Sequence, residues 1–331
     1  MTWKVSSAEV REDTRHAVAY KVQSGILRSG LSILEPTLFR MVPLLLAFLI
    51  TMEVLTLSDA CLAQDKHCLW QIETASNTVF LLGSIHLMKP EHYPLDPALE
   101  AAFEQADHIV TEVDIDSLAM AAVAQNIART GLYMDGASLT DKLSKKTYGV
   151  VKQTAEELGF NPAMLNQFRP WFVARTLATS KLQELGFQPQ LGIDKYFHTK
   201  AKTKNKDRHA LETIHFQTSL LSKMSETMQE DMLLQTLIDL KTVDTYFDDL
   251  YQAWLTGDMQ KLDGLLLVGF EDYPSIYKYM IVDRNKDWVP KIQQFMRSNE
   301  HYLVIVGAGH LVGKESVVDL LRAKGYRVEQ L

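Results

Sequence analysis

The sequence is poor in cysteine: its 331 residues include only Cys61 and Cys68. Two thiols cannot build a disulfide framework or a pair of CxxC zinc clamps, so any metal must be held by histidine and carboxylate. Positive charge is also short. Lys plus Arg total 34 against 41 for Asp plus Glu, giving a net charge of −7. Proteins that neutralise phosphates carry a basic stripe, and only the lysines in 200–206 come near one, so no nucleic-acid partner is expected. The HExxH helix, the Walker A loop and the EF-hand loop are all missing. The segment GSIHL around Ser84 lacks the second glycine of a GxSxG nucleophile elbow. Gly307, Gly309 and Gly313 are spaced almost like a dinucleotide loop, but the third glycine falls one position late. There is no tandem repeat and no low-complexity linker. With 47% hydrophobic and 23% charged residues, the composition is that of an ordinary globular chain.

Long apolar runs are nearly absent too. The one exception, MVPLLLAFLITMEVLTL at 41–57, follows Arg40 and precedes SDACLAQD. It contains Glu53 and falls short of the roughly 20 apolar residues that span a bilayer. Its core at 42–51 fits the h-region of a secretory signal, with cleavage after Ala63 leaving small residues at the cut. The alternative is a signal anchor with a short cytoplasmic tail. Either way the remainder is exported, periplasmic or extracellular, and meets a membrane only through this segment. Met41 is the expected true start. Residues 1–63 are therefore read as an extension plus signal or anchor, and 64–331 as one working domain.

That domain has an α/β rhythm. LWQIE and TVFLLGSIH are β-rich runs separated by the turn-like TASN. Asp96-Pro97 opens a helix that carries Leu99, Ala102, Phe103 and Ala106 at helical spacing. HIVTEV at 108–113 reads as a strand. The middle, about 116–258, is mostly helical by period, including 172–185 ended by Gly186, and is broken only by LGID and a possible strand RHALE. A helix at 288–296, the strand HYLVIV, a glycine turn and a helix at 314–323 close the pattern. The expected fold is α/β (α+β): a mixed central sheet built from both chain ends, with a large helical insertion as a lid.

Two matching turns carry the chemical signal. Gly83-Ser84-Ile85-His86 follows one strand and Gly307-Ala308-Gly309-His310 follows another, so each histidine lies just past a strand's C-terminal end, where open α/β sheets bind ligands. The strand HIVTEV brings Glu112 to the same edge. Two imidazoles and a carboxylate suit Zn²⁺, Mn²⁺, Fe²⁺ or Co²⁺ and leave a coordination position for water. The glycines let the backbone turn tightly and approach a substrate. Taken singly, a histidine at a strand end is more often a surface or hydrogen-bonded residue than a ligand, and Glu112 alone reads as a salt-bridged strand end. Asp194 is by position an N-cap. Trp254, Tyr246 and Tyr251 recur at near-helical spacing and are expected in the core; His92, His108, His198, His209 and His215 are taken as structural.

LLGSIHLMKPEHYPL, HIVTEVD, LGIDKYF, ALETIHFQ, MIVDRNKDWVPKI and YLVIVGAGHLVGKESVVDLLRAKGYRV together resemble the TraB/GumN family in order and spacing. That family is similar to the Tiki metalloproteases of animals, which carry two GxxH motifs and a motif glutamate and depend on Mn²⁺ or Co²⁺. More distant relatives include erythromycin esterases and a haem-binding lipoprotein, so the fold hosts unlike functions. The resemblance implies site roles for His86, Glu112 and His310 as catalytic metal ligands, with Glu212, Arg284 and Asn285 on further motif positions and Asp194 of GID on a lesser one. RHALE departs from the more apolar strand usual before the glutamate.

The expectation is an exported hydrolase in which a divalent cation (Mn²⁺, Co²⁺ or Zn²⁺) activates water against a peptide or similar acyl bond. Glu212 would be the general base or a supporting carboxylate. Arg284 would clamp the substrate or oxyanion, or orient Glu212; Asn285, Gly83, Gly307 and Gly309 would line the substrate site. The competing readings are a binder that captures a peptide pheromone or haem without turnover, and a metal-free esterase-like hydrolase with a histidine base.

Overall fold

LWQIE and TVFLLGS form a hairpin because Thr74 N–H donates to the Asn77 carbonyl at 2.9 Å, and the Asn77 amide anchors the turn to the Phe295 and Glu300 carbonyls, each at 2.8 Å. The computed structural model describes residues 66–115, 125, 127 and 129–331. Its six strands are β1 (Leu69–Glu73), β2 (Thr78–Ser84), β3 (His108–Thr111), β4 (Asp207–Ala210), β5 (Tyr302–Gly307) and β6 (Glu329–Gln330). They lie in the order β4-β3-β5-β2-β1-β6. The four from β4 to β2 are parallel to their neighbours, whereas β1 is antiparallel to both β2 and β6. A late strand, β5, thus occupies the middle of a mixed sheet, as expected of a sheet built from both ends. β3 and β5 are buried on both faces, and β5 accordingly runs as an apolar string.

The helices that frame the site are α1 (Pro97–Gln105), α2 (Lys145–Glu157), α3 (Pro170–Glu184), α4 (Ile193–Thr203), α5 (Ile214–Lys223), α6 (Glu226–Asp239), α7 (Val243–Leu255), α8 (Met259–Leu267), α9 (Asp283–Phe295) and α10 (Val317–Ala323). α1 starts where Asp96 accepts the Ala98 N–H at 2.8 Å and buries Leu99, Ala102 and Phe103 on the sheet. α4 packs against β3 and β4. By contrast, α2, α3 and α6 build a second core of their own, in which Val151, Val173, Leu177, Leu233 and Leu237 meet. This helical unit comes from the insertion between β3 and β5.

Two helix starts differ from the sequence expectation. α9 begins at Asp283 rather than 288 and continues a π-helical turn at Lys278–Val282. The apolar period hides this because the first inward-facing residues are polar: Arg284 is 5% and Asn285 0% exposed. α10 begins at Val317, where Ser316 accepts from Asp319 N–H at 3.1 Å. Gly192, not Asp194, is the N-cap of α4. Trp254 is buried and Tyr246 and Tyr251 pack against the sheet core, as expected. No helix among the described residues is long and apolar enough to cross a membrane. The apolar run at 41–57 and the expected cleavage after Ala63 lie outside the described residues.

Candidate active site

Five chain segments deliver the site, the ends of four strands and one helix. β2 ends at Ser84, and His86 follows two residues later; the Ile193 N–H of α4 donates to the Ile85 carbonyl at 3.0 Å. Gly192 lies so close that a Cβ there would be 2.3 Å from the His86 carbonyl oxygen, so only glycine lets α4 approach. Past the ends of β3 and β4 the pairing continues, with Leu211 N–H on the Thr111 carbonyl and Glu212 N–H on the Glu112 carbonyl at 2.8 Å, which sets the two glutamates side by side. His310 follows β5 in a 3-10 turn, Ala308–His310. α9 then lays Arg284, Asn285 and Trp288 across the group.

The centre of this cluster is Arg284. Its Nε donates to Glu212 Oε1 at 2.9 Å, and its Nη2 to Glu112 Oε2 at 2.6 Å and to Glu212 Oε2 at 2.9 Å. Nη1 donates to the Met280 carbonyl, in the π-helical turn, at 3.1 Å and to His310 Nε2 at 3.0 Å. The five N–H groups of the guanidinium therefore all have acceptors inside the protein. Trp288 Nε1 adds a bond to Glu212 Oε1 at 2.9 Å. Glu112 Oε1 accepts the Gly307 N–H at 2.7 Å, and Oε2 also accepts from Gln217 Nε2 at 2.9 Å.

Each histidine has its Nδ1 tied down. His310 Nδ1 donates to Asn285 Oδ1 at 2.7 Å, which leaves Nε2 as the lone pair that Arg284 meets. His86 Nδ1 meets Asp194 Oδ1 at 3.2 Å, and 55% of the His86 side chain opens to solvent space. The Asp194 carboxylate, working against burial, raises the His86 pKa to about 9. Burial, reinforced by the Arg284 and His86 charges, lowers His310 to about 3, so its imidazole is neutral. Burial pushes the Glu112 carboxyl up, but His310, Arg284, His86 and the Gly307 N–H hold it down at about 2.

A Cβ placed on Gly307 would stand 3.3 Å from Glu112 Oε1, 3.5 Å from His86 Nε2 and 3.7 Å from His310 Cδ2. The three expected metal ligands thus face one small space that a side chain would fill. Ser84 Oγ, buried at the same cavity wall, has no hydrogen-bond partner among the described residues. A neutral His310 held at Nδ1 by an amide, a His86 held at Nδ1 by a carboxylate, and Glu112 make a donor set suited to a borderline divalent cation once His86 gives up its proton. As placed, no group of three His, Cys, Asp or Glu among the described residues stands close enough to hold an ion. The His310 Nε2 lone pair that an ion would take is occupied by Arg284 Nη1.

The cluster opens into a cavity of about 730 Å³ between the strand ends and the helical unit, lined by His86, Glu112, Arg284, Gly307, Gly309 and His310 among others. Two expected substrate-site residues, Asn285 and Gly83, and the expected base Glu212 stand elsewhere. Glu212 lies behind Arg284 and lines a separate recess. Asn285 is wholly buried, holding His310. Gly83 is absent from the cavity wall: its carbonyl accepts Trp254 Nε1 at 2.7 Å, and a Cβ there would come within 2.3 Å of Cys68 Sγ. Asp194, taken as a cap, instead holds His86. Gln217 and Trp288 escaped the sequence reading, although both lie inside quoted segments, ALETIHFQ and MIVDRNKDWVPKI. The other histidines have varied surroundings; His108 bridges His209 Nε2 at 3.0 Å and Glu300 Oε2 at 2.7 Å at the opposite end of β3.

No solved structure matches the chain. It is similar to "Uncharacterized protein YbaP" of Escherichia coli (strain K12), with 26% identity over 242 residues that cover 73% of this chain and 87% of the relative. The YbaP of Shigella flexneri matches with the same identity and coverage. The model of the TraB/PrgY/gumN family matches residues 68–330, a span that holds every strand and every residue of the cluster. The chain belongs to the TraB/PrgY/gumN family.

Proposed function

We propose that the protein is an exported metal-dependent hydrolase acting on a peptide or similar acyl bond. The observation that supports this reading is the facing of His86 Nε2, Glu112 Oε1 and His310 around the bare Cα of Gly307. His86, Glu112 and His310 would hold a divalent cation, Mn²⁺, Co²⁺ or Zn²⁺. When bound, such an ion acidifies its water and polarises the acyl oxygen. Asp194 orients His86, and Asn285 fixes the His310 tautomer. The Gly307 N–H and Gln217 hold the Glu112 carboxylate ionised. Arg284, with all its donors committed, acts as a positioning residue that ties Glu112 and Glu212 together in a buried setting, rather than as a substrate clamp. Glu212, with both oxygens held by Arg284 and one also by Trp288, fits a supporting carboxylate better than a general base.

The test is a full chain stripped with chelator and refilled with Mn²⁺, Co²⁺ or Zn²⁺. Refilling is expected to raise the melting temperature and restore hydrolysis of peptide or ester substrates. Unchanged melting on refilling, together with unaltered activity in His86→Ala and His310→Ala, would overturn the reading. A second reading, a binder without turnover, draws on the size and apolar walls of the cavity; tight ligand binding with no hydrolysis under any metal would select it. Export rests on the sequence at 41–63, and N-terminal sequencing of the protein recovered from the periplasm or medium checks it.

A further inference from the structure

Among the described residues, two that are not glycine hold a left-handed backbone: Asn205 at φ 54° and Glu315 at φ 55°. Asn205 directly follows the last turn of α4, a place where asparagine commonly takes that conformation. Glu315 ends no helix. It lies in the loop between His310 and α10, exposed and away from the cavity wall. For a glutamate this backbone is strained, and such outliers persist where the surroundings hold them for a purpose.

What the turn at Glu315 delivers to the interior is a carbonyl. That oxygen accepts Asn285 Nδ2 at 2.8 Å, whereas the Glu315 carboxylate points to Lys286 Nζ at 2.6 Å and the Glu315 N–H donates to Asp319 Oδ2 at 3.0 Å. A carbonyl only accepts, so the Asn285 amide must turn its nitrogen to Glu315 and its oxygen to His310. His310 Nδ1 meets that oxygen at 2.7 Å and must carry hydrogen. At the other side of the ring, Arg284 Nη1 only donates, so His310 Nε2, 3.0 Å away, must be bare. Arg284, His310, Asn285 and the Glu315 carbonyl thus form one head-to-tail chain, each member donating to the next, and such chains polarise and strengthen their own bonds. Asn285 is 0% exposed. Without the Glu315 carbonyl its amide loses the anchor that sets its sense, and a turned-over amide would favour hydrogen on Nε2, against the Arg284 donor.

We propose that Glu315 is a remote positioning residue for His310: its left-handed backbone presents the carbonyl that orients Asn285 and thereby keeps the imidazole with hydrogen on Nδ1 and a lone pair on Nε2. The backbone carries this role, not the carboxylate. The proposal extends the orienting role of Asn285 out to the surface, and it concerns the imidazole whether or not a cation binds or an acyl bond is cut.

The experiment is nitrogen-15 NMR of the His310 imidazole in the full chain, in chelator, with the ring assigned by its loss in His310→Gln. The unaltered protein is expected to show one tautomer, protonated at Nδ1 and bare at Nε2; hydrogen on Nε2 would overturn the proposal. Glu315→Gly tolerates the left-handed backbone and should keep the tautomer while raising the melting temperature. Glu315→Gln removes the bridge to Lys286 and should also keep it. Glu315→Val cannot hold this backbone without greater strain, so the carbonyl should swing away and the single tautomer be lost, the two nitrogen signals moving toward each other. A Glu315→Val spectrum like that of the unaltered protein, or an equal change in Glu315→Gln, would overturn the proposal. Should Glu315→Val not fold, the unaltered chain still decides: the Asn285 Nδ2 hydrogens should exchange about tenfold or more slowly than those of exposed Asn299, and exchange at the exposed rate contradicts the anchoring bond. Because no metal or substrate enters the measurement, failure of the metal-dependent hydrolase reading leaves this result intact, and failure here leaves that reading untouched.

Discussion

Arg284 Nη1 reaches His310 Nε2 at 3.0 Å while its Nη2 reaches Glu112 Oε2 at 2.6 Å, so one guanidinium joins two of the three converging groups and ties them to Glu212 behind. Removing this cation leaves two carboxylates in a nearly closed interior, the Glu112 and Glu212 side chains being 10% and 4% exposed. Arg284→Met is therefore expected to cost about 3–5 kcal/mol. Arg284→Lys recovers little, since an ammonium cannot fork to two carboxylates. Urea unfolding measures both; a loss under about 1 kcal/mol for Arg284→Met would show the pair to be less confined than described.

Gly307→Ala separates site from scaffold. The backbone φ of −51° accepts alanine, and the nearest atom to the new methyl is Glu112 Oε1 at 3.3 Å. Stability is expected to change by less than about 1 kcal/mol. The methyl nevertheless enters the space that His86, Glu112 and His310 face, so the apparent affinity for Mn²⁺ or Co²⁺ should fall at least tenfold. A metal titration indistinguishable from that of the unaltered protein contradicts this.

The His86 imidazole should titrate late. Its pKa of about 9 lies above the free-imidazole value of about 6.5, chiefly because of Asp194. The sign follows: the pair's contribution to stability is complete below pH about 6.5 and fades as pH rises through about 9. In Asp194→Asn the titration midpoint should drop toward the free value. Nitrogen-15 NMR of the imidazole reads both, and a midpoint that ignores the substitution rules out the pairing.

Gly83 is expected to be a packing residue. Gly83→Ala drives a methyl to 2.3 Å from Cys68 Sγ, an overpacking worth about 1–3 kcal/mol. Adding Cys68→Ala removes the obstructing sulfur and should restore most of the lost stability and any ligand binding. If the double variant folds well yet fails to bind, Gly83 belongs to the ligand site after all.

The sheet was legible because its strands are either apolar strings or sit beside turn residues, and both GxxH turns announced themselves by following such strands. α9 was not, because its inward face begins with Arg284 and Asn285, which satisfy polar partners from distant segments instead of showing an apolar period. Asp194 looked like a cap by position, yet Gly192 caps α4 and frees the carboxylate for His86.

The placement of β5 between β2 and β3 also governs how the chain comes together. Leu82 pairs with Ile305 and Thr111 pairs with the same residue, so the first two-thirds of the chain hold two apolar strands with an open slot between them. Until β5 arrives, that slot is a template for any extended apolar segment, including β5 of a second copy. A chain emerging N-terminus first therefore passes through a state in which strand exchange and aggregation compete with closure, and it becomes safe only when its late strand locks the slot.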